Sequence, residues 1–142
     1  MTTDVMGAKL ALFIGNDLAV ILRDDRPGLL WANHWDLPGG GREGNESPLD
    51  CAIRETREEL SLTIPPQIVT WGRPYQNSIG RTVWFFAANL PAHHRDDIVL
   101  GDEGQRWDLM APDRFLSDPQ VVPAFKPRLR DYLDGVTTHL FN

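Results

Sequence analysis

A glycine-rich segment and a helix-forming segment determine much of the architecture of this chain. They are Leu37-Pro38-Gly39-Gly40-Gly41 and, a few residues later, Pro48-Leu49-Asp50-Cys51-Ala52-Ile53-Arg54-Glu55-Thr56-Arg57-Glu58-Glu59-Leu60. Ser47 can cap a helix that begins at Pro48, because its side-chain oxygen can accept a hydrogen bond from a free backbone N–H and proline suits the first helical position. Asp50 lies in the first turn, where the helix dipole favours an acid. The sequence therefore predicts a glycine loop leading into a helix that runs to about Leu60.

Two faces of this helix differ in character. The residues that recur at helical spacing and predict a buried stripe are Leu49, Ala52, Ile53, Thr56 and Leu60. Glu55, Glu58 and Glu59 lie off that stripe and project together from another face. Like charges at this spacing destabilise a helix by roughly 0.2–0.5 kcal/mol, and the C-terminal half of a helix also disfavours anions.

The acidic face has two interpretations. In one it is a solvent-exposed surface, and Arg54 and Arg57 reduce the repulsion between its carboxylates. In the other its carboxylates collect a hard cation, Mg²⁺ or Mn²⁺, whose shell is completed by the phosphates of a substrate. The glycines before the helix favour the second interpretation, because backbone without side chains can approach a ligand closely and offer a carbonyl oxygen to a metal.

The rest of the chain predicts a sheet and one further helix. Strand patterns occur at residues 9–14, 18–22, 82–88, 98–100 and 106–109. The first two flank Gly15-Asn16-Asp17 and predict a hairpin. A C-terminal helix is predicted from Phe125, Leu129, Tyr132 and Leu133, with Gly135 as its stop.

The composition predicts one soluble globular domain, residues 1–142, because the length is the modal domain size and no linker or repeat interrupts it. No apolar run reaches the roughly 18 residues of a membrane span, and the N-terminus lacks a signal-peptide pattern, so a cytoplasmic location is expected. The single cysteine, Cys51, excludes an internal disulfide and favours a packed residue over a nucleophile. The net charge of -6 argues against a nucleic-acid partner.

Gly40, Glu46 and the run from Arg54 to Leu62 together resemble the signature of the Nudix hydrolases. Six fixed charged or glycine positions match at the family's spacing, and a chance match is on the order of one in ten million per starting position. Thr56 replaces the usual aliphatic residue, and Ser61 replaces the usual glycine. Two further segments are similar to family segments: Trp35-Asp36-Leu37-Pro38-Gly39-Gly40 and, in MutT-type enzymes, Gly101-Asp102-Glu103-Gly104-Gln105.

The resemblance implies an α+β Nudix fold, an α/β/α sandwich in which a mixed sheet lies between helices and the signature forms a loop–helix–loop. It implies Mg²⁺-dependent hydrolysis, with Mn²⁺ as a possible substitute, of a diphosphate linkage in a nucleoside diphosphate derivative such as a nucleoside triphosphate. The expected partner is thus a small nucleotide. A monomer and a homodimer both remain open.

The resemblance also assigns site residues. Glu58 and Glu59 are expected as main metal ligands, Glu55 as ligand or general base, and Arg54 as the residue that orients a glutamate. The Gly39 carbonyl and the Glu103 carboxylate are further expected ligands. Whether Glu46 binds metal or braces the loop is open.

Two residues are expected on the substrate side. Arg23 resembles the arginine that contacts phosphates in MutT-type enzymes, with a solvated strand-end residue as the alternative. Phe125 occupies the place of an asparagine that reads oxidised guanine in those enzymes. A phenyl ring can stack on a base but cannot exchange hydrogen bonds with its edge, so poor selectivity for oxidised guanine is expected. Asn77, Gln105 or a backbone amide could read the base instead, or Phe125 could merely pack under the C-terminal helix. Trp31, Trp71 and Trp84 either line a pocket or pack in the core.

Two other functions are alternatives to this one. A Nudix domain that only senses a nucleotide or a nucleotide sugar would have lost signature carboxylates, and all are present here. An enzyme acting on the 5′ end of RNA would be expected to show a basic groove, whereas the chain has 14 Lys and Arg against 20 Asp and Glu, without a dense basic run.

Overall fold

Strand β1 (Val5–Ile14) lies at the centre of the sheet in the computed structural model, which describes residues 5–141. The other strands are β2 (Asp17–Leu22), β3 (Trp35–Asp36), β4 (Gly39–Gly41), β5 (Val69–Gln76), β6 (Thr82–Leu90) and β7 (Arg106–Met110). The helices are α1 (Pro48–Leu60), α2 (Pro112–Ser117) and α3 (Phe125–Leu133), with short 3-10 turns at Pro66–Ile68 and Ala92–Asp97. Within residues 5–141, none of the helices has the length and apolar character needed to cross a membrane. The predicted domain bounds also include residues 1–4 and 142, which lie outside the described part.

The sheet is mixed, with the order β3-β2-β1-β6-β5. β1 and β2 form the predicted antiparallel hairpin, and β1 runs parallel to β6 over its whole length. A parallel pair needs a long crossover, and here the crossover contains α1. β4 pairs with the beginning of β1, and β7 pairs with β2. The glycine loop is therefore held against the central strand, next to the helix that follows it.

Apolar side chains cover both faces of the sheet. Leu10 and Leu12 of β1 belong to one core together with Leu49 and Leu60 of α1. Alternate residues point to the opposite face, where the second core includes Phe13, Phe85, Phe115, Phe125 and Leu129. Strands buried on both faces have nearly continuous apolar sequences, as here. The α+β sandwich predicted from the resemblance is confirmed.

Helix α1 begins and ends where the sequence predicts. Ser47 Oγ accepts a hydrogen bond from the Asp50 N–H at 3.0 Å. The predicted stripe is buried except for Ile53, which is half-buried, and Cys51 is buried as well. Thr56 is fully buried, and its hydroxyl donates to the Ala52 carbonyl at 2.7 Å, which satisfies the polar atom of this unusual residue.

Ser61 ends α1 in the left-handed conformation, with φ 63° and ψ 23°. Its N–H donates to the Arg57 carbonyl at 2.9 Å, and its hydroxyl donates to the Val99 carbonyl at 2.9 Å. The strand predicted at 98–100 is wrong. The Val99 N–H donates instead to the Leu60 carbonyl at 3.1 Å, and the Gly101 N–H donates to the Glu59 carbonyl at 2.9 Å. The backbone N–H groups of this segment therefore donate to the free carbonyls at the end of the helix instead of to a neighbouring strand.

The segment after α3 returns to the sheet. Gly135 has φ 77°, as expected of a helix stop. Beyond it, the Trp71 indole donates to the Val136 carbonyl at 2.7 Å. The Gly72 N–H donates to the Thr138 hydroxyl at 2.9 Å, and the His139 N–H donates to the Gly72 carbonyl at 2.8 Å. Residues 136–139 therefore lie along β5.

Candidate active site

An acidic cavity of about 340 Å³ lies beside α1. Glu55, Glu58 and Glu59 line it from the helix, and Asp102 and Glu103 line it from the loop before β7. This loop can approach the helix because residue 101 is glycine: a Cβ there would collide with the Glu58 carbonyl oxygen. The structure thus brings Glu103 to the cavity that holds the helix glutamates. Asp102, which also lines the cavity, was not predicted.

Arg54 connects the glutamates around this cavity. Its Nη1 donates to Glu55 Oε2 at 3.1 Å and to Glu58 Oε2 at 3.0 Å. Its other donors reach both carboxylate oxygens of Glu46 and the Gly41 carbonyl. The hydrogen bonds from Arg54 lower the pKa of Glu46 to about 2. Arg54 therefore has the contacts that an orienting residue needs, and Glu46 is engaged by Arg54 at both oxygens.

Glu59 is the most deeply placed of the helix acids. Its Oε1 accepts a hydrogen bond from the Gly39 N–H at 2.8 Å, and burial raises its pKa to about 7. Burial likewise raises the pKa of Glu55. The Glu55 carboxylate lies against the Gly40 backbone, where a Cβ would come within 2.7 Å of it. A side chain at residue 40 would push this carboxylate away.

Lys9 and Asp36 form an ion pair that sequence reasoning missed. Lys9 Nζ lies 3.0 Å from Asp36 Oδ1 and donates to the Leu37 and Gly39 carbonyls at 3.2 Å each. The Gly39 carbonyl, predicted as a metal ligand, is thus engaged by an ammonium group. The available signal was a lysine at the start of the apolar run 10–14, since a cation in a strand buried on both faces needs an anionic partner.

Arg23 is held at the edge of the site. Its Nη1 donates to Asp36 Oδ2 at 2.9 Å, and its Nε donates to the Leu30 carbonyl at 3.0 Å. It lines a narrow cleft of about 60 Å³ together with Glu59 and Glu103. Arg23 is therefore not a free, solvated strand-end residue: it is oriented by Asp36 beside the acidic cavity.

A larger and mostly apolar pocket, about 710 Å³, lies on the other side of the glycine loop. Phe125, Trp31 and Arg128 line it, and so do Gly40 and Lys9. Phe125 is largely buried, and the centroid of its ring lies 6.4 Å from that of Phe85. Trp71 and Trp84 are buried in the two cores instead. Gly40 thus lies between the apolar pocket and Glu55 of the acidic cavity.

The acidic cavity fits a divalent cation by the chemistry of its donors. Mg²⁺ prefers carboxylate oxygens and keeps sites open for water and phosphate. Burial of the Glu59 carboxylate as an anion is unfavourable, as its raised pKa shows. A bound cation would remove this free-energy cost. Among residues 5–141, no three His, Cys, Asp or Glu side chains are already converged on one point. Arg54 holds Glu55 and Glu58, and the Gly39 N–H holds Glu59.

Cys51 does not take part in this chemistry. Its thiol is buried and donates to the Gly40 carbonyl at 3.4 Å. Burial raises the pKa of the thiol to about 12, so the nucleophilic thiolate is scarcely populated near neutral pH. The prediction of a packed residue agrees with this position.

Comparison with known proteins gives one family and one fold. The NUDIX domain family matches residues 12–132. RNA pyrophosphohydrolases are similar in sequence: that of Marinomonas sp. is 30% identical over 104 residues, and that of Halorhodospira halophila is 39% identical over 114 residues. These alignments cover 67% and 75% of this chain but only 58% and 56% of the relatives, so the chain spans little more than half their length.

Solved structures share the architecture. The MutT protein of Methanosarcina mazei superposes with a TM-score of 0.73 at 17% identity, covering 94% of this chain and 96% of that one. The Ap4A hydrolase of C. elegans superposes with a TM-score of 0.71 at 21% identity, covering 90% of this chain and 96% of that one. At these identities the likeness concerns the fold alone.

Proposed function

The chain belongs to the Nudix hydrolase family, whose domain matches residues 12–132. We propose that it hydrolyses a diphosphate linkage in a nucleoside triphosphate or a related small nucleotide, using Mg²⁺ or, in its place, Mn²⁺. The observation that supports this most is the position of Gly40. It separates an acidic cavity suited to metal and phosphates from an apolar pocket large enough for a nucleobase. A nucleotide has these two parts, joined by a sugar.

The roles of the acidic residues follow from their positions. The chemistry that a divalent cation would supply here is stabilisation of the charge on the phosphates and activation of a water molecule. Glu58 and Glu59 would hold the cation, and Glu103 would contribute from the facing loop. Glu55, which lines the cavity and whose pKa is raised above the ordinary value by burial, would act as ligand or accept the proton of the attacking water. Arg54 would position Glu55 and Glu58.

The substrate side is proposed from the two neighbouring sites. Arg23, oriented by Asp36 beside Glu59 and Glu103, would contact the phosphates. Phe125 would stack on the base in the apolar pocket. The Gly39 carbonyl stays a candidate ligand only if Lys9 releases it, because Lys9 Nζ donates to it at 3.2 Å.

A substrate panel tests the proposal. Nucleoside triphosphates, sugar nucleotides, dinucleoside polyphosphates and ADP-ribose would be incubated with Mg²⁺, with Mn²⁺ and with EDTA, and the products separated by anion-exchange chromatography. We expect one nucleotide class to be cleaved at a diphosphate bond in the presence of metal and no cleavage in EDTA. Full activity in EDTA would contradict the proposal, and binding without turnover would indicate a sensor domain.

A second candidate is hydrolysis at the 5′ end of RNA. The names of the relatives favour it, although this chain covers little more than half of their length. An oligoribonucleotide with a 5′-triphosphate would be compared with the free triphosphate of its first nucleoside. A higher kcat/KM for the RNA that falls steeply with salt would support this candidate, because phosphate contacts release counterions. Equal values at all salt concentrations would favour the small nucleotide.

Location and assembly follow as part of the proposal. Small nucleotides are the expected partners, and we propose that the protein meets them in the cytoplasm. Monomer and homodimer are distinguished by light scattering of the purified chain, which gives the molar mass directly.

A further inference from the structure

Arg128 of α3 is a buried cation in the wall of the apolar pocket. Only 9% of its surface is exposed. Its guanidinium lies over the Tyr75 ring, 5.2 Å from the centroid. Within residues 5–141 it has no carboxylate partner: the nearby Asp131 instead accepts a hydrogen bond from the Tyr75 hydroxyl at 2.8 Å. Burial lowers the pKa of the guanidinium below its ordinary value, which is the sign of an uncompensated charge.

Such a residue is costly as structure. A buried charge without a paired anion destabilises a protein, and an apolar residue of similar size would fill the same space without that cost. The cation–π contact with the Tyr75 ring offsets part of this loss of stability. The N–H groups of the guanidinium lie in its plane, however, and the ring does not accept hydrogen bonds from them. The donors of Arg128 are therefore available to a ligand in the pocket.

The other polar side chains of the pocket are already engaged or peripheral. Lys9 is bonded to Asp36 and two carbonyls. Asn77 accepts from the Ile79 and Arg81 N–H groups and closes its own turn. Gln76 and Ser78 are exposed at the rim. Gln105, another candidate reader of the base, lies elsewhere and donates to the Arg23 carbonyl.

We propose that Arg128 selects 6-oxopurine nucleotides, those of guanine and hypoxanthine, by donating two hydrogen bonds to O6 and N7 of the base. This inference rests on the proposed function, because it assumes that the apolar pocket holds the base. Arginine has only donors, arranged as a fork that matches these two acceptors. Adenine offers N7 but places an amino donor at position 6. Oxidised guanine carries a hydrogen on N7 and so loses one acceptor.

The test removes the proposed contact between Arg128 and the base, once by changing the nucleotide and once by changing the protein. kcat/KM would be measured for GTP, ITP, ATP and 7-deaza-GTP, which lacks N7, with the wild-type protein and with Arg128→Met. Arg130→Met, an exposed arginine of the same helix, is the matched control. We expect the wild-type protein and the control to prefer GTP and ITP over ATP by about five- to 150-fold and to lose activity on 7-deaza-GTP. Arg128→Met would lose this preference, mainly through KM, and would treat GTP and 7-deaza-GTP alike.

Two results would overturn the inference: equal wild-type values for GTP and ATP, or a preference for GTP that survives in Arg128→Met. If Arg128→Met fails to fold, the wild-type comparison of GTP with 7-deaza-GTP decides alone. Calorimetric binding of GDP and ADP separates this inference from the proposed function. Selective binding of GDP without hydrolysis of any triphosphate would leave Arg128 as the reader of the base and contradict only the proposed catalysis.

Discussion

The guanidinium of Arg54 donates hydrogen bonds to both carboxylate oxygens of Glu46, with Nε 3.0 Å from Oε2 and Nη2 2.8 Å from Oε1. The planar fork of arginine fixes the orientation of such a pair. The remaining donor, Nη1, then points to Glu55 and Glu58. This geometry favours the interpretation in which Glu46 braces the loop before α1, and it indicates that the glutamates of the cavity are positioned from outside the cavity.

The pH dependence of stability tests this brace. The pKa of Glu46 is about 2 in the folded chain against an ordinary 4.5, so its contribution is present above pH 4.5 and lost as the pH falls towards 2. We expect Glu46→Gln to lower the free energy of unfolding at pH 7 by on the order of 2 kcal/mol, and the difference to shrink below pH 4.5. Urea unfolding from pH 7 to pH 3 measures it. Glu43→Gln, which removes an exposed acid 3.5 Å from Arg54, should cost under about 0.5 kcal/mol. A deficit independent of pH would show that the Glu46 charge is not the cause.

Glu58→Gln tests the metal-binding face of α1. The change keeps the shape of the side chain and removes its charge, so we expect turnover to fall at least about a hundredfold, the scale on which a main electrostatic stabiliser is lost. The measurement is kcat at saturating Mg²⁺. Asp50→Asn removes the same charge from the first turn of the same helix, outside the cavity, and should leave kcat unchanged. Unimpaired turnover in Glu58→Gln would remove this residue from the metal site.

Glu103→Gln tests the ligand that comes from outside the signature. Glu103 is exposed on a loop, so its replacement should cost little stability, yet it lines the acidic cavity opposite Glu59. We expect the Mg²⁺ concentration for half-maximal activity to rise about tenfold, in the range typical of weakened metal sites. Asp96→Asn, in the exposed turn Ala92–Asp97, is the matched control. An unchanged Mg²⁺ dependence would make Glu103 an ordinary turn acid.

Ser61 allows the end of α1 to be tested by two substitutions. Ser61→Ala removes the hydrogen bond to Val99 and keeps the unfavourable left-handed backbone, so we expect it to destabilise the protein by about 1 kcal/mol. Ser61→Gly loses the same bond but relieves the backbone, and these effects should nearly cancel. Thermal unfolding of the two variants compares them directly. Equal melting temperatures for both variants would show that the backbone conformation carries no cost.

The sequence predicted the parts of the fold that local patterns determine. The bounds of α1 followed from its cap, its proline and its apolar stripe, and the β1–β2 hairpin followed from two apolar runs around a turn. The strand predicted at 98–100 failed because its donors are used by a partner distant in the chain, the carbonyls at the end of α1. β5 was missed, since its sequence contains Gly72 and Pro74 and lacks a clear alternation.

The candidate site divides in the same way. Residues of one helix, such as Glu55 and Glu58, could be assigned to a common face from their spacing alone. The ion pair of Lys9 and Asp36 and the position of Arg128 in the apolar pocket could not, because each depends on contacts between elements far apart in sequence. The Glu103 loop was placed by resemblance, and the reason it reaches the helix, the missing side chain at Gly101, appears only in three dimensions.

Residues 136–139 cover an edge of the sheet that could otherwise pair with another molecule. β5 is the last strand of the sheet, and the backbone groups of Gly72 that face away from β6 are bonded to Thr138 and His139. Unpaired strand edges recruit one another and lead to aggregation. A chain shortened before Val136 would uncover such an edge, together with the aromatic surface beneath Phe141. We therefore expect a chain shortened there to be less soluble than the full chain.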